Sequence, residues 1–174
     1  MRLMARTGSL SDRNDYLSYI QDADPRRLPG ETLKIIDQGV SSGKLQAGEV
    51  AEYRTLAQGR VTNDRNSLPS YEKEARAGSA TFASINGAAD AFLSYDQPAK
   101  AEELYKLALP KAGGEKDRVL TRLGIAQADQ GKYAEAQSTF AQVGGTRVPV
   151  AKLWTAYTKT KSNPAGPAAA APAS

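Results

Sequence analysis

LTRLGIAQADQGKYAEAQSTFAQV, residues Leu120 to Val143, reads as two short apolar helices folded back on each other about one glycine. Leu120 and Leu123 stand three apart and are followed by Gly124; after a polar run to Gly131, helical spacing resumes through Tyr133, Ala136, Phe140 and Val143. Gly131 follows Asp129-Gln130, where a residue without Cβ ends a helix in the left-handed conformation at no steric cost. The chain can then reverse in a few residues. Small Ala136 lies one helical turn before bulky Phe140, so the second helix is expected to approach the first closely at Ala136 and to interlock at Phe140. Gly124 and Ala126 supply the small residues facing them.

A second copy lies upstream, where Ile85, Ala88-Ala89, Phe92, Ala101, Tyr105 and Ala108 repeat the order large, small pair, aromatic, Ala, aromatic, small. Ala101 and Ala136 are 35 residues apart, close to the ~34 of one class of helical repeat. Asp96-Gln97-Pro98 replaces the glycine turn, and Pro98 suits the first position of the next helix. On these residues the chain resembles the tetratricopeptide repeat family; it departs from the signature with Gln127 where an aromatic is usual and Val143 where a small residue is usual. The resemblance implies an all-α fold, an α-α superhelix in which antiparallel helix pairs stack as a solenoid. Ala101 and Ala136 should then be buried where the helices of each pair meet.

Composition narrows the chemistry. Of 174 residues 40% are hydrophobic, helix formers dominate and no β-branched run occurs, which also predicts an all-α class. Cys and His are both absent. That removes disulfides, thiolate nucleophiles, the usual zinc ligands and the commonest general base, so no enzyme and no cofactor is expected. Net charge is +4, and Arg147, Lys152, Lys159 and Lys161 stand together with no acid between them. Such a stretch reads as a solvated helix face, or alternatively as a contact for nucleic acid or another anionic surface. No run approaches the ~18 apolar residues of a membrane span, and no apolar segment follows Met1-Arg2, so no secretion signal is read.

Taken in order, Arg2 to Thr7 reads as a helix end closed by Gly8, and Leu10 to Gln21 as a helix with Leu17 and Ile20 on one face. By the resemblance this is the rear part of a repeat, so the chain is expected to be a piece of a longer protein with Leu3, Met4, Leu17 and Ile20 uncovered. Leu33, Ile36 and Val40 mark a helix ending at Gly43; Val50, Tyr53, Leu56 and Ala57 mark another from Ala47 to Asn63; Leu68-Pro69 predicts a break before a polar helix, Tyr71 to Ala77. Residues 1–78 are thus expected to be degenerate or partial repeats, with a helical insertion as the alternative for the units Glu31 to Gly43 and Ala47 to Ala77, which do not match the repeat signature. Residues 79–161 hold the two clear repeats and a capping helix, about Val148 to Lys159, with Val150, Leu153, Trp154 and Tyr157 as its apolar stripe and Trp154 as anchor. From 162 to 174 the Ala/Pro-rich sequence predicts a disordered tail. This tail and the missing cysteines resemble bacterial cell-envelope repeat proteins, which implies a periplasmic setting.

No catalytic constellation emerges. Gly113-Gly114-Glu115-Lys116 lacks the spacing of a phosphate loop and reads as a turn; Glu102-Glu103 and Glu72/Glu74 read as acids on solvated faces. What the resemblance implies is a concave peptide-binding face made by the first helix of each pair: Asn86, Asp90 and Leu93 from one unit, Arg118, Thr121, Arg122 and Ile125 from the next. Arg118 and Arg122, one turn apart, could present two guanidinium groups to one carboxylate. Asp90 stands where a carboxylate clamp would want Asn, which argues against that variety of site. The expected function is a non-enzymatic scaffold for a protein or peptide partner, with a regulatory subunit of an enzyme complex or an anionic-surface binder as alternatives. The array is expected to be elongated, with Tyr16 and Trp154 at opposite ends and no contact between residues before Gly43 and after Gly114.

Overall fold

The computed structural model describes residues 1–163; the expected disordered tail lies almost wholly outside them. Among the described residues the order is α1 (Arg2–Thr7), α2 (Arg13–Ala23), α3 (Pro29–Ser41), α4 (Ala51–Ala75), α5 (Phe82–Ser94), α6 (Pro98–Ala108), α7 (Lys116–Asp129), α8 (Tyr133–Phe140) and α9 (Val148–Ser162), with short 3-10 turns between some of them and no strand. From α2 onward each helix packs chiefly on the next in the chain. Stacking of successive antiparallel neighbours makes the fold an all-α superhelix.

Two glycines show why the pairs close as they do. Gly131 ends the α7 turn at φ 76°, the left-handed value that its position predicts. Gly124 faces Phe140: a Cβ built there would lie 2.4 Å from Cε1 of the ring. Ala101 and Ala136 are fully buried, as expected at a closest approach. Gly124→Ala should therefore destabilise the chain, because an overpacking cost of roughly 1–3 kcal/mol outweighs the ~1 kcal/mol that alanine gains over glycine in a helix. Urea denaturation measures it, and adding Phe140→Leu should recover part of the loss. Full stability of the single variant would mean that the ring yields freely.

Three expectations are corrected. Helix α4 runs unbroken through Pro69. Proline removes one N–H and crowds the carbonyl four residues back, but Pro69 and Arg65 are both exposed, so the lost bond faces water while buried Leu68 and Ala75 hold the helix to the core. On α9 the buried stripe is Ala151, Trp154 and Thr158, with Val150 and Leu153 left exposed. On α3 the buried residues include Thr32, Ile35, Ile36 and Gly39, whereas Leu33 and Val40 are only half-buried.

The amino-terminal edge also differs from expectation. Two apolar cores form, a smaller one around Tyr16, Ile20, Ile36 and Val50 and a larger one running from Leu68 to Trp154. Short α1 sits between them: Leu3 packs on the larger, Met4 and Ala5 on the smaller. Ile20 is fully buried and Leu17 half-buried, so this surface is covered by the chain itself. Arg6 pairs with Asp129 at the end of α7, which overturns the expected separation of the residues before Gly43 from those after Gly114. The physical reason is that α1 is held from two sides: Arg2 pairs with Glu31 on α3 and Arg6 with Asp129 on α7, while Leu3 and Met4 pack on different cores.

Candidate binding groove

Asp90, one of the residues expected on the concave face, is held by three neighbours. Its carboxylate accepts the Tyr105 hydroxyl at 2.6 Å and the Asn86 amide at 3.3 Å, and it pairs with Arg122 from the next unit. Burial, with the neighbouring Asp90 charge, pushes the Tyr105 phenol well above its usual range, so it remains a neutral donor. Asn86 is buried and its Oδ1 has no partner. Arg118 lies 2.8 Å from Glu115, the residue just before the first turn of α7. The two arginines that could present their guanidinium groups to one carboxylate are here paired with different acids, Arg118 with Glu115 and Arg122 with Asp90.

A cavity of about 440 Å³ opens beside these residues. Thr121, Arg122 and Ile125 line it from α7, Arg147, Val150, Leu153 and Trp154 from the α9 side, and Met1, Leu3, Met4 and Leu28 from the amino-terminal side. Leu93 instead lines a smaller cavity, about 190 Å³, with Arg6, Lys34 and Asp96. Arg2 and Glu31 line both spaces, so α1 lies between them. Of the seven residues expected on the concave face, Thr121, Arg122 and Ile125 reach the larger cavity and Leu93 the smaller; Asn86, Asp90 and Arg118 line neither. Larger still, at about 670 Å³, is an open crease along α4 floored by Leu56, Gly59 and Tyr71.

Electrostatics fix α1 in place. Arg2 donates from Nε and NH2 to the two oxygens of Glu31 at 2.8 and 2.5 Å, and Tyr19 adds a third donor at 2.7 Å. Burial pushes the Glu31 carboxyl up, but the Arg2 and Tyr19 hydrogen bonds and the Arg2 charge outweigh it and hold the group below the usual range. At Asp129 burial prevails and the carboxyl lies above its usual range despite Arg6.

Glu102, read from sequence as solvated, is buried. Its oxygens meet Lys106 at 2.6 Å, Gln130 at 2.7 Å and Lys132 at 2.8 Å, tying α6 to the turn between α7 and α8. Lys106 four residues on was the available signal, since an i, i+4 cation marks an acid that can be held. The basic stretch is divided between two concavities: Arg147 lines the groove, while Lys152 and Lys159 line a space of about 430 Å³ between α8 and α9. Among the described residues no cluster of acids could hold a metal ion, and no helix is long and apolar enough to cross a membrane. Comparison of the chain with family models, with curated proteins and with solved structures finds no match.

Proposed function

We propose that the chain is a non-enzymatic scaffold of the tetratricopeptide-repeat type that holds a protein or peptide segment in the groove between α1 and α9. One observation carries the reading. Val150 and Leu153 are large apolar residues 42% and 61% exposed, and they stand beside Ile125 and Trp154 in the wall of a ready-made concavity. Exposed apolar groups in a concave setting are the usual mark of a surface that a partner covers. Contact with an anionic surface through the basic residues of α9 is the weaker reading, because those residues are divided between two concavities.

The test uses peptides selected by display against the full chain. Leu153→Asp should weaken their binding at least ten-fold, about 1.4 kcal/mol, while leaving the thermal midpoint unchanged because the side chain is mostly exposed. Peptides that bind the variant as tightly as the parent would place recognition elsewhere and defeat the groove. Binding to an anionic polymer that falls steeply with salt would favour the other reading.

A further inference from the structure

The groove that Val150 and Leu153 leave open is not electrically neutral. Arg2, Arg27, Arg122 and Arg147 stand on its walls against Asp22 and Glu31. Two of these arginines are paired, Arg2 with Glu31 and Arg122 with Asp90, which lies outside the cavity. Arg27 and Arg147 have no acid within ion-pair distance among the described residues. Arg27 is exposed and shares its wall with exposed Asp22, so that side is close to balanced. Arg147 is half-buried, and the α9 wall holds no acid, because no Asp or Glu occurs after Glu135. The Asp117 carboxylate reaches the turn just before it, but accepts the Gly144 N–H at 2.8 Å and forms no ion pair with Arg147. A guanidinium partly withdrawn from water keeps its charge, and its planar fork fits a carboxylate with two hydrogen bonds.

Arg147 at the start of α9, and Val150 and Leu153 within it, stand three apart, so they follow one another along the helix within about 9 Å. We infer that the segment held in the groove is acidic as well as apolar. Large apolar side chains cover Val150 and Leu153, and a carboxylate meets Arg147; it stands within about three residues of them, the number an extended chain needs to span that distance. The inference rests on the groove being the binding surface and names the partner's chemistry. A basic segment would set like charge against Arg147 and Arg27. A purely apolar one would cover Arg147 and leave it with neither water nor a counter-charge. The two halves of the site act differently. Apolar contact with Val150 and Leu153 supplies affinity, while the arginine sets the direction of the segment, since it stands at one end of the stripe only.

The experiment compares display-selected peptides on the full chain and on its Arg147→Glu variant. The selected sequences should carry Asp or Glu within about three residues of large apolar ones. Arg147→Glu should weaken their binding about ten-fold or more. Replacing the peptide's acid with Lys should recover binding on that variant, a charge-swap rescue that a merely structural role would not give. The variant should fold as well as the parent, because an acid at the start of α9 is favourable to the helix. Arg147→Gln, which only removes the charge, should show the smaller loss, and on it an amide in place of the peptide's acid should cost nothing further. Selected peptides without an acid, binding indifferent to Arg147→Glu, or polyglutamate bound as tightly as the selected peptides would each overturn the inference. If such peptides still lost affinity with Leu153→Asp, the scaffold reading would stand alone; if they ignored Leu153→Asp as well, both readings would fall.

Discussion

Trp154→Ala should cost about 3–5 kcal/mol, the range for deleting a large buried aromatic side chain. The indole is 2% exposed, stacks on Phe140 with ring centroids 6.1 Å apart, and meets Tyr157 edge-on at 5.6 Å. Phe140 is the same ring that fills the space at Gly124, so α9 is anchored to the closest contact of the last helix pair. In a fold whose elements touch mainly their neighbours, such damage stays local before it spreads. Hydrogen exchange should show α9 and α8 opening first, and circular dichroism in urea should give the total. Peptide binding should be lost as well, because α9 carries Val150 and Leu153. A loss below about 1 kcal/mol would be too small for a buried aromatic anchor and would show that α9 is not what closes this end of the array.

What the sequence made legible was the contact made by small residues against large ones at a constant period. Gly124 against Phe140, buried Ala101 and Ala136, left-handed Gly131 and buried Trp154 all follow from side-chain size at helical spacing. Features set by more than one element were not legible. Pro69 satisfied a local rule for helix breaking, yet its position on the solvent side of α4, which tertiary packing decides, made it tolerable. The α9 stripe was misread because Val150 and Ala151 are adjacent and both apolar; which one faces α8 depends on the helix rotation that Trp154 selects. The placement of α1 depends on partners far along the chain, Glu31 on α3 and Asp129 on α7, which no local pattern around Arg2 and Arg6 encodes. Of the residues that the resemblance implied for one concave face, Thr121, Arg122 and Ile125 line one cavity and Leu93 another, whereas Val150 and Leu153, the most exposed apolar residues of the larger cavity, had been assigned to packing.

Glu102 supplies the other large effect, in acid. Burial alone would raise its pKa, but hydrogen bonds from Lys106, Lys132 and Gln130 outweigh burial and hold it at about 2, against an unperturbed 4.5. The folded chain therefore binds this proton less readily than the unfolded one. Its contribution to stability is complete above pH 4.5 and is lost as pH falls toward 2. The full shift would correspond to roughly 3 kcal/mol. Both lysines are about half exposed, so solvent screening reduces the expected value to about 2 kcal/mol. Other carboxylates titrate in the same window: Glu31 and Glu72 are also held low, whereas Asp129 is raised and acts in the opposite sense. The useful quantity is thus the difference between the parent and Glu102→Gln, which keeps the shape and one acceptor but has no proton to gain. Urea midpoints at pH 7 should favour the parent by about 2 kcal/mol, and the gap should close as the pH is lowered through 4.5 to 2. Two curves that fall in parallel across that window would show that Glu102 is not the group that couples this fold to protons, and that the tie between α6 and the α7–α8 turn is held by packing alone.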